Sequence, residues 1–331
     1  MSLKEPDFWY PKAGHVSAEA FLLWPAGVVY DMAGRVRRAV SRPQQMSVPV
    51  ICVGNLVAGG VGKTPIALAV ADILKTRGHQ PFFLSRGYGG VEEGPKRVDA
   101  LGDNATVVGD EPLLLARRHP TIVAKNRPAG ASLAITQGAD CIIMDDGFQN
   151  PSIAKDLSLV VVDGVRGFGN GRVIPAGPLR ESVTAGLKRA DAVIIVGEDG
   201  GVSHQIRASV ATDKILSARL APHTEQPMDK KRRYLAFAGI GHPDKFFDTL
   251  REYGLPLSDR IPFPDHHVYT EDELSILREQ AISTHAALIT TEKDWQRLSE
   301  EARAQIWYFG IQADIADAAA LEALIDPLFD A

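Results

Sequence analysis

The sequence predicts an α/β protein with a doubly wound, mostly parallel sheet, followed by a second and smaller α/β domain. From residue 46 onward strand-like runs alternate with helical patterns, and several of these runs are apolar at every position. Such runs are typical of strands that helices cover on both faces of a parallel sheet. A new strand-then-helix series begins after residue 200, so we place a domain boundary near residue 205.

The elements follow in chain order within a first domain of residues 46–205 and a second of residues 206–331. The clearest helix, residues 65–78, has Pro65 in its first turn and Gly78 as its stop. Thr270 and Glu273 form a capping box that predicts another helix start. The strand-like runs of the first domain are residues 48–55, 81–87, 106–111, 121–126, 141–146, 157–164 and 192–197. In the second domain residues 215–222 are predicted to be an extended connector, and residues 234–241, 287–294 and 307–311 to contain strands.

Composition limits the classes of function. With 45% hydrophobic and 23% charged residues, the 331-residue chain can build a full core and is not predicted to be disordered. The net charge of −5 argues against a dedicated nucleic-acid-binding protein, which would usually be basic. Cys52 and Cys141 lie in apolar runs without the spacing of a zinc site, so we predict buried free thiols.

Residues 1–45 form an N-terminal segment in which aromatic side chains precede arginines. A helix that lies in the headgroup layer of a membrane needs this combination, so the segment predicts an amphipathic, membrane-associating helix. The alternative is a helix that packs on its own domain. The uncharged stretch at residues 20–30 contains Pro25 and is too short to span a bilayer, which takes roughly 20 apolar residues. The aromatic and apolar residues are Phe8, Trp9, Tyr10, Phe21, Leu22, Leu23, Trp24 and Tyr30, and the arginines are Arg35, Arg37, Arg38 and Arg42.

A glycine-rich loop, GNLVAGGVGKTP, stands between a predicted strand and a predicted helix at residues 54–65. Glycines let backbone amides point at phosphate oxygens, and the helix N-terminus adds a positive dipole end. We expect Lys63 to reach the β- and γ-phosphates of ATP and the Thr64 hydroxyl to bind Mg²⁺, which indicates a P-loop NTPase-like fold. Val57 stands where the strict pattern has glycine, and Ala58 where the similar loop of partition-type ATPases has a signature lysine. The predicted nucleotide-binding residues are Gly59, Gly60, Val61, Gly62, Lys63, Thr64 and Pro65.

Two acidic pairs end strand-like runs, at what we expect to be the carboxyl edge of the sheet. Asp145 and Asp146 end the run at 141–146 and are predicted to hold Mg²⁺. Asp110 and Glu111 end the run at 106–111, where a carboxylate could accept the proton of a hydroxyl group. The alternative for Asp110 is a helix N-cap, and for the Asp145 pair the cap of a turn.

Further polar side chains are predicted at the same edge. Ser85 and Arg86 follow one strand, and Lys125 and Arg127 follow the next. They could contact phosphate or substrate, and an arginine could stabilise charge on the phosphoryl group in transfer. A surface ion pair is the alternative for each arginine. His266, in the FPDHH loop, could orient a carboxylate across the cleft between the domains or be structural.

These motifs resemble one family in their combination and order. GNLxxGGxGKTP, SRGYG, GDEP, DDGFQ, GNG, PAGPLRE, FxDH and TTEKD are all present, and together they resemble the tetraacyldisaccharide 4′-kinase family. The resemblance extends from the aromatic N-terminal segment to about residue 294. Asn150, where histidine is commoner, and the additional His267 depart from the pattern, but neither touches a position used here.

The resemblance implies transfer of the γ-phosphate of ATP, with Mg²⁺, to the 4′-hydroxyl of a tetraacylated glucosamine disaccharide 1-phosphate in lipid A synthesis. It implies a peripheral enzyme at the cytoplasmic face of the bacterial inner membrane. The acylated lipid and that leaflet are the expected partners, without nucleic acid or an obligate protein partner. It also implies a catalytic dyad of Asp110 and His266 beside Lys63. The implied metal ligands are Thr64, Glu111, Asp145 and Asp146, and the predicted substrate contacts are Ser85, Arg86, Arg127, Gln149, Arg180 and Glu181.

Two alternative functions stay open at this point. One is a partition- or metallochaperone-type ATPase that uses nucleotide as a conformational switch, and Ala58, the DH loop and the amphipathic N-terminal segment count against it. The other is a non-enzymatic, nucleotide-binding membrane adaptor, against which the full set of carboxylates counts.

Overall fold

The computed structural model describes residues 5–11, 17–224 and 227–330. Parts of the predicted N-terminal segment, residues 1–4 and 12–16, lie outside the described residues. The strands are β1 (Val50–Gly54), β2 (Pro81–Ser85), β3 (Lys96–Arg97), β4 (Thr121–Val123), β5 (Cys141–Asp145), β6 (Leu157–Asp163), β7 (Ala192–Val196), β8 (Ile215–His223), β9 (Arg233–Ala238), β10 (Leu257–Pro262), β11 (Ala286–Thr291) and β12 (Trp307–Ile315).

Short and long helices separate these strands. They are α1 (Ala18–Val40), α2 (Lys63–Thr76), α3 (Ala105–Val108), α4 (Asp110–Ala116), α5 (Arg127–Thr136), α6 (Val183–Leu187), α7 (Val202–Ile206), α8 (Pro243–Glu252), α9 (Glu271–Ser283), α10 (Glu292–Trp295), α11 (Glu300–Arg303) and α12 (Ala318–Ile325). Three 3₁₀ turns occur at Asp7–Trp9, Thr212–Lys214 and Asp326–Leu328.

The described strands form one twelve-stranded sheet in the order β10-β9-β11-β12-β8-β7-β6-β1-β5-β2-β4-β3. Neighbouring strands are parallel except for the pairs β8–β12 and β3–β4. The central strands β1, β5, β6 and β7 are buried along their whole length, as their apolar sequences predict. The predicted fold class, a mostly parallel α/β sheet, is confirmed.

The strand predicted at residues 106–111 is wrong, because α3 and α4 occupy this stretch. The Asn104 side chain accepts a hydrogen bond from the Val107 amide (3.0 Å) and caps α3. Gly109, with φ 91°, lets the chain turn from one helix into the next. These local capping interactions outweigh the β-branched residues that favoured a strand. Asp110 therefore lies in the first turn of a helix and not at the end of a strand.

Strand β8 contains residues 215–222, which were predicted to be extended. It pairs with β7 on one side and antiparallel with β12 on the other, so the sheet is continuous through the region of the predicted domain boundary. The buried apolar residues nevertheless form separate clusters. One large cluster surrounds β1 and α2, and two smaller clusters lie on opposite faces of β9. Successive side chains of β9 alternate between these two clusters, as the period of a strand requires.

The N-terminal segment has two different environments. Residues Asp7–Tyr10 pack on the chain itself, since Trp9 Nε1 donates to the Pro175 carbonyl (3.1 Å) and Asn170 Nδ2 to the Phe8 carbonyl (3.0 Å). Helix α1 continues through Pro25 and buries only Ala20, Gly27 and Asp31. Nine of the seventeen exposed large apolar side chains of the described residues belong to α1. Within the described ranges, no helix has both the length and the apolar character needed to cross a bilayer.

Candidate active site

A large open cleft of ≈ 2570 Å³ lies at the carboxyl ends of the central strands. Every residue predicted for the phosphate cradle, from Gly59 to Pro65, lines this cleft. Gly59 and Gly62 have φ values of 104° and 83°, which side chains other than glycine rarely adopt. Helix α2 begins directly afterwards at Lys63, so its N-terminus faces the cleft as an anion-binding end.

Gly54, where β1 enters this loop, lies against Phe148. A Cβ atom at position 54 would lie 2.5 Å from Phe148 Cβ and 3.2 Å from the Phe148 nitrogen. We expect Gly54→Ala to destabilise the protein by about 1–3 kcal/mol, the usual cost of overpacking, measured by denaturant unfolding. Gly60→Ala is the matched control for stability, since a Cβ there would meet nothing within 4 Å. An equal loss of stability in the two variants would contradict the steric explanation.

The predicted acids Asp145 and Asp146 lie beside the cradle, because Val53 of β1 pairs with Asp145 of β5. Burial and the carboxylates of Glu111 and Asp146 raise the pKa of Asp145 to about 7. Burial acts in the same direction on Asp146, but Lys63 and Arg180 outweigh it and lower the pKa of Asp146. Lys63 Nζ lies 3.8 Å from Oδ1 of Asp146, and Arg180 Nη1 donates to the same oxygen (2.7 Å).

These acids fit a magnesium ion that is shared with bound phosphate. Among the described residues, no group of three or more His, Cys, Asp and Glu side chains is arranged to hold a metal ion by itself. Mg²⁺ usually binds through one or two carboxylates together with substrate phosphates and water. Oδ1 of Asp145 is buried and has no hydrogen-bond partner within the described part of the chain, so it is an acceptor that a cation could satisfy.

Asp110 and His266 are 156 residues apart in sequence and in direct contact, with Nδ1 of His266 3.0 Å from Oδ2 of Asp110. His266 lies in the left-handed region (φ 57°), and its amide donates to the Gly239 carbonyl (3.0 Å). Burial would raise the pKa of Asp110, but the combined effect of His266, Lys293 and Arg297 outweighs it, and the pKa is lowered. The site therefore holds an ionised carboxylate that is shielded from solvent and paired with an imidazole.

Two cations beside Asp110 were not among the predicted site residues. Lys293 Nζ lies 3.1 Å from Glu111 Oε1 and 3.9 Å from Asp110 Oδ2. Arg297 Nε donates to Oδ2 of Asp110 (2.9 Å). Lys293 belongs to the TTEKD motif, which was a usable signal, whereas nothing in the sequence marks Arg297.

Five of the six predicted substrate contacts line the cleft, namely Ser85, Arg86, Arg127, Gln149 and Arg180. The sixth, Glu181, is buried behind them with 1% of its surface exposed. Its carboxylate pairs with Arg38 (3.2 Å) and Arg189 (2.6 Å) and accepts from Gln149 Nε2 (3.2 Å). Glu181 is therefore placed to hold other side chains. Lys125, also considered from sequence, pairs with Glu93 (2.8 Å).

The fold and the cleft together define a P-loop phosphotransferase. The cradle with Lys63 lines the cleft in the way a polyphosphate site requires, and the ionised Asp110 is in contact with His266, which also lines the cleft.

The comparison with known proteins identifies the family. A family model described as tetraacyldisaccharide-1-P 4′-kinase matches residues 19–330, and the chain belongs to this family. The resemblance stated from the motifs is thereby confirmed, and the chain is an enzyme of the kinase class.

Individual relatives agree with this assignment. A tetraacyldisaccharide 4′-kinase of Parvibaculum lavamentivorans is 52% identical over 90% of this chain and 87% of its own length. One of Rhodospirillum rubrum is 48% identical over 98% of both chains. The crystal structure of LpxK from Aquifex aeolicus in complex with ATP is similar with a TM-score of 0.74 and 26% identity, over 94% of this chain and 99% of that one. All three are named as this kinase, and none supports the ATPase-switch alternative.

Proposed function

We propose that this chain transfers the γ-phosphate of ATP to the 4′-hydroxyl of a tetraacylated glucosamine disaccharide 1-phosphate, a step of lipid A synthesis. The observation that carries the proposal is one shared cleft, lined by the phosphate cradle and by His266, with Asp110 3.0 Å from His266. Family membership and the ATP in the Aquifex aeolicus relative support the same reaction.

The cradle binds the ATP phosphates through its loop amides and the N-terminus of α2. Lys63 now faces Asp146 at 3.8 Å, so phosphate oxygens would replace that carboxylate as its main partner. Asp146 keeps Arg180 as a counter-ion when this happens. Thr64, Glu111, Asp145 and Asp146 would hold Mg²⁺, which neutralises charge on the transferred phosphate.

Asp110 takes the proton of the 4′-hydroxyl, and His266 orients it. Because its pKa is lowered, Asp110 is ionised at neutral pH and ready to accept a hydrogen bond from the alcohol. A strong base is not required, since phosphoryl transfer has a loose transition state in which positioning and charge stabilisation dominate. Arg86 and Arg127 line the same cleft and would stabilise charge on the phosphoryl group. Ser85, Gln149 and Arg180 also line the cleft and would contact the substrate.

We propose a peripheral position at the cytoplasmic face of the inner membrane, and the exposed apolar side chains of helix α1 support the contact with a membrane. These side chains are exposed as one extended set, with Phe21, Leu22 and Val29 each at least 66% exposed. Contiguous apolar surface of this kind marks an interaction site, and a helix apolar on one side and arginine-bearing at its end suits a lipid interface. Tyr30 and Arg37 of the same helix line the cleft, so α1 connects the apolar surface to the active site.

Replacing Phe21, Leu22 and Val29 by serine is expected to reduce recovery with anionic phospholipid vesicles and turnover of long-chain substrate. Vesicle sedimentation and kinase assays measure these effects. The matched control replaces Ile276 and Ile282 of α9 by serine, since these are also exposed (63% and 74%) but lie far along the chain from α1. Undiminished sedimentation of the α1 variant would place the membrane contact elsewhere.

The reaction itself is tested with labelled ATP and an acylated glucosamine disaccharide 1-phosphate. Transfer of label to the disaccharide, absent when the 4′-position carries no free hydroxyl, is the expected result. ATP hydrolysis without labelled lipid would instead favour the ATPase switch, and retention of nucleotide without either product would favour the adaptor.

A further inference from the structure

Arg297 uses all three of its guanidinium nitrogens in the Asp110 cluster. Nε donates to Oδ2 of Asp110 (2.9 Å), and Nη2 donates to the same oxygen. Nη1 donates to the Gly239 carbonyl (2.8 Å) and to Oδ1 of Asp294 (2.7 Å). The Arg297 side chain is 5% exposed, so these bonds are made away from water.

Asp294 holds the Arg297 guanidinium group in place. The Asp294 side chain is fully buried and accepts hydrogen bonds from the Gly239 amide (3.0 Å), the Thr291 hydroxyl (2.7 Å) and the Tyr269 hydroxyl (3.0 Å). A carboxylate with this many donors is held in one orientation, and it fixes Arg297 through the single charge-assisted bond from Nη1 to Oδ1.

One carbonyl group, that of Gly239, accepts hydrogen bonds from two of the partners of Asp110, His266 and Arg297. The Gly239 carbonyl, at the end of β9, accepts from the His266 amide (3.0 Å) and from Arg297 Nη1. Asp110 belongs to α4 in the first half of the chain, whereas its partners belong to the second half. The hydrogen bonds of Arg297 therefore fix the position of the Asp110 carboxylate relative to the His266 imidazole.

We propose that Arg297 is a positioning residue for phosphoryl transfer, which holds the Asp110 carboxylate in the orientation that meets the acceptor hydroxyl. This inference rests on the proposed function. Arg297 donates to Oδ2 of Asp110. Among the described residues Oδ1 accepts one hydrogen bond, from the Glu111 amide (2.8 Å), which leaves a lone pair for the alcohol. A buried ion pair adds little net stability compared with apolar packing, so stability alone gives no reason for this network.

The test compares Arg297→Gln and Arg297→Lys with the control Arg303→Gln. Arg303 is also partly buried and also bonds backbone carbonyls, those of Trp295 and Gln296, but it lies outside the Asp110 cluster. We expect Arg297→Gln to lower kcat by roughly 100-fold, the cost of a small misplacement of a catalytic group, with KM for ATP unchanged. Lysine keeps the charge without the two-point geometry and should restore kcat in part. Wild-type kcat in Arg297→Gln would overturn the inference, as would a loss fully explained by a smaller folded fraction.

A double-mutant cycle with Asp110→Asn shows whether Arg297 acts through Asp110. We expect Arg297→Gln to cause no further loss of kcat once Asp110 is asparagine. If the fold-losses of kcat in the two single variants multiply in the double variant, the positioning role is contradicted. The proposed role of Asp110 as base and the proposed role of Arg297 can be contradicted separately. Wild-type kcat in Asp110→Asn would contradict the role of Asp110. Low kcat in Asp110→Asn together with wild-type kcat in Arg297→Gln would contradict the role of Arg297 alone.

Discussion

Lys63→Ala is expected to lose phosphoryl transfer almost completely, with kcat lowered by roughly a thousand-fold. Lys63 begins α2 directly after the glycine loop, and we propose that its ammonium group is the cation that contacts bound phosphate. Two other basic groups of the cleft already have partners: Arg180 pairs with Asp146, and Arg127 donates to the Ala124 carbonyl (3.0 Å). Neither can take the position of Lys63 without breaking its present bond.

Lys75→Ala is the control for Lys63→Ala, since Lys75 is exposed in the last turn of the same helix. We expect this variant to keep wild-type kcat. Steady-state kinetics give kcat, and thermal unfolding shows whether each variant is folded. Arg180 still neutralises Asp146 when Lys63 is removed, so we expect little change in stability. Substantial turnover by folded Lys63→Ala protein would mean that the loop does not act as the proposed phosphate site.

The sheet was predictable because its signals are local. Strands buried on both faces are apolar throughout, and the runs at 50–54, 141–145 and 192–196 could be recognised one by one. The error at residues 106–111 also has a local cause, since the β-branched residues Thr106, Val107 and Val108 form a helical turn that Asn104 caps. The pairing of β8 with β12 joins residues about ninety apart, which no short-range pattern indicates.

The site was predictable only in part, for a related reason. The cradle is one continuous motif, so sequence alone located it, whereas the contact of Asp110 with His266 came from the family resemblance. Arg297 was missed because two of its partners, Asp110 and Gly239, are distant in sequence, and a single arginine is usually a surface residue. For Glu181 the motif indicated a substrate contact, but its carboxylate is buried among arginines behind the cleft.

Asp110→Asn is expected to lower kcat by at least about 100-fold while nucleotide binding is kept. Asparagine preserves the shape of the side chain but cannot accept a proton, and it removes the charge that pairs with Arg297 and His266. The fold should survive, because Arg297 keeps Asp294 and Lys293 keeps Glu111 as counter-ions. Kinetics with the lipid acceptor and a direct measurement of ATP binding separate the two effects.

Asp72→Asn is the matched control for Asp110→Asn. Asp72 also pairs with a histidine, His119 (2.8 Å), and with an arginine, Arg118, but it belongs to a network outside the cleft. If breaking an Asp–His–Arg network were enough to impair the enzyme through its fold, both variants would lose turnover. Loss in Asp110→Asn alone, with ATP still bound, assigns the effect to the acceptor hydroxyl. The expected defect of Lys63→Ala is different, because Lys63 acts on the phosphate donor, ATP. The two variants therefore test the donor site and the acceptor site of the same reaction separately.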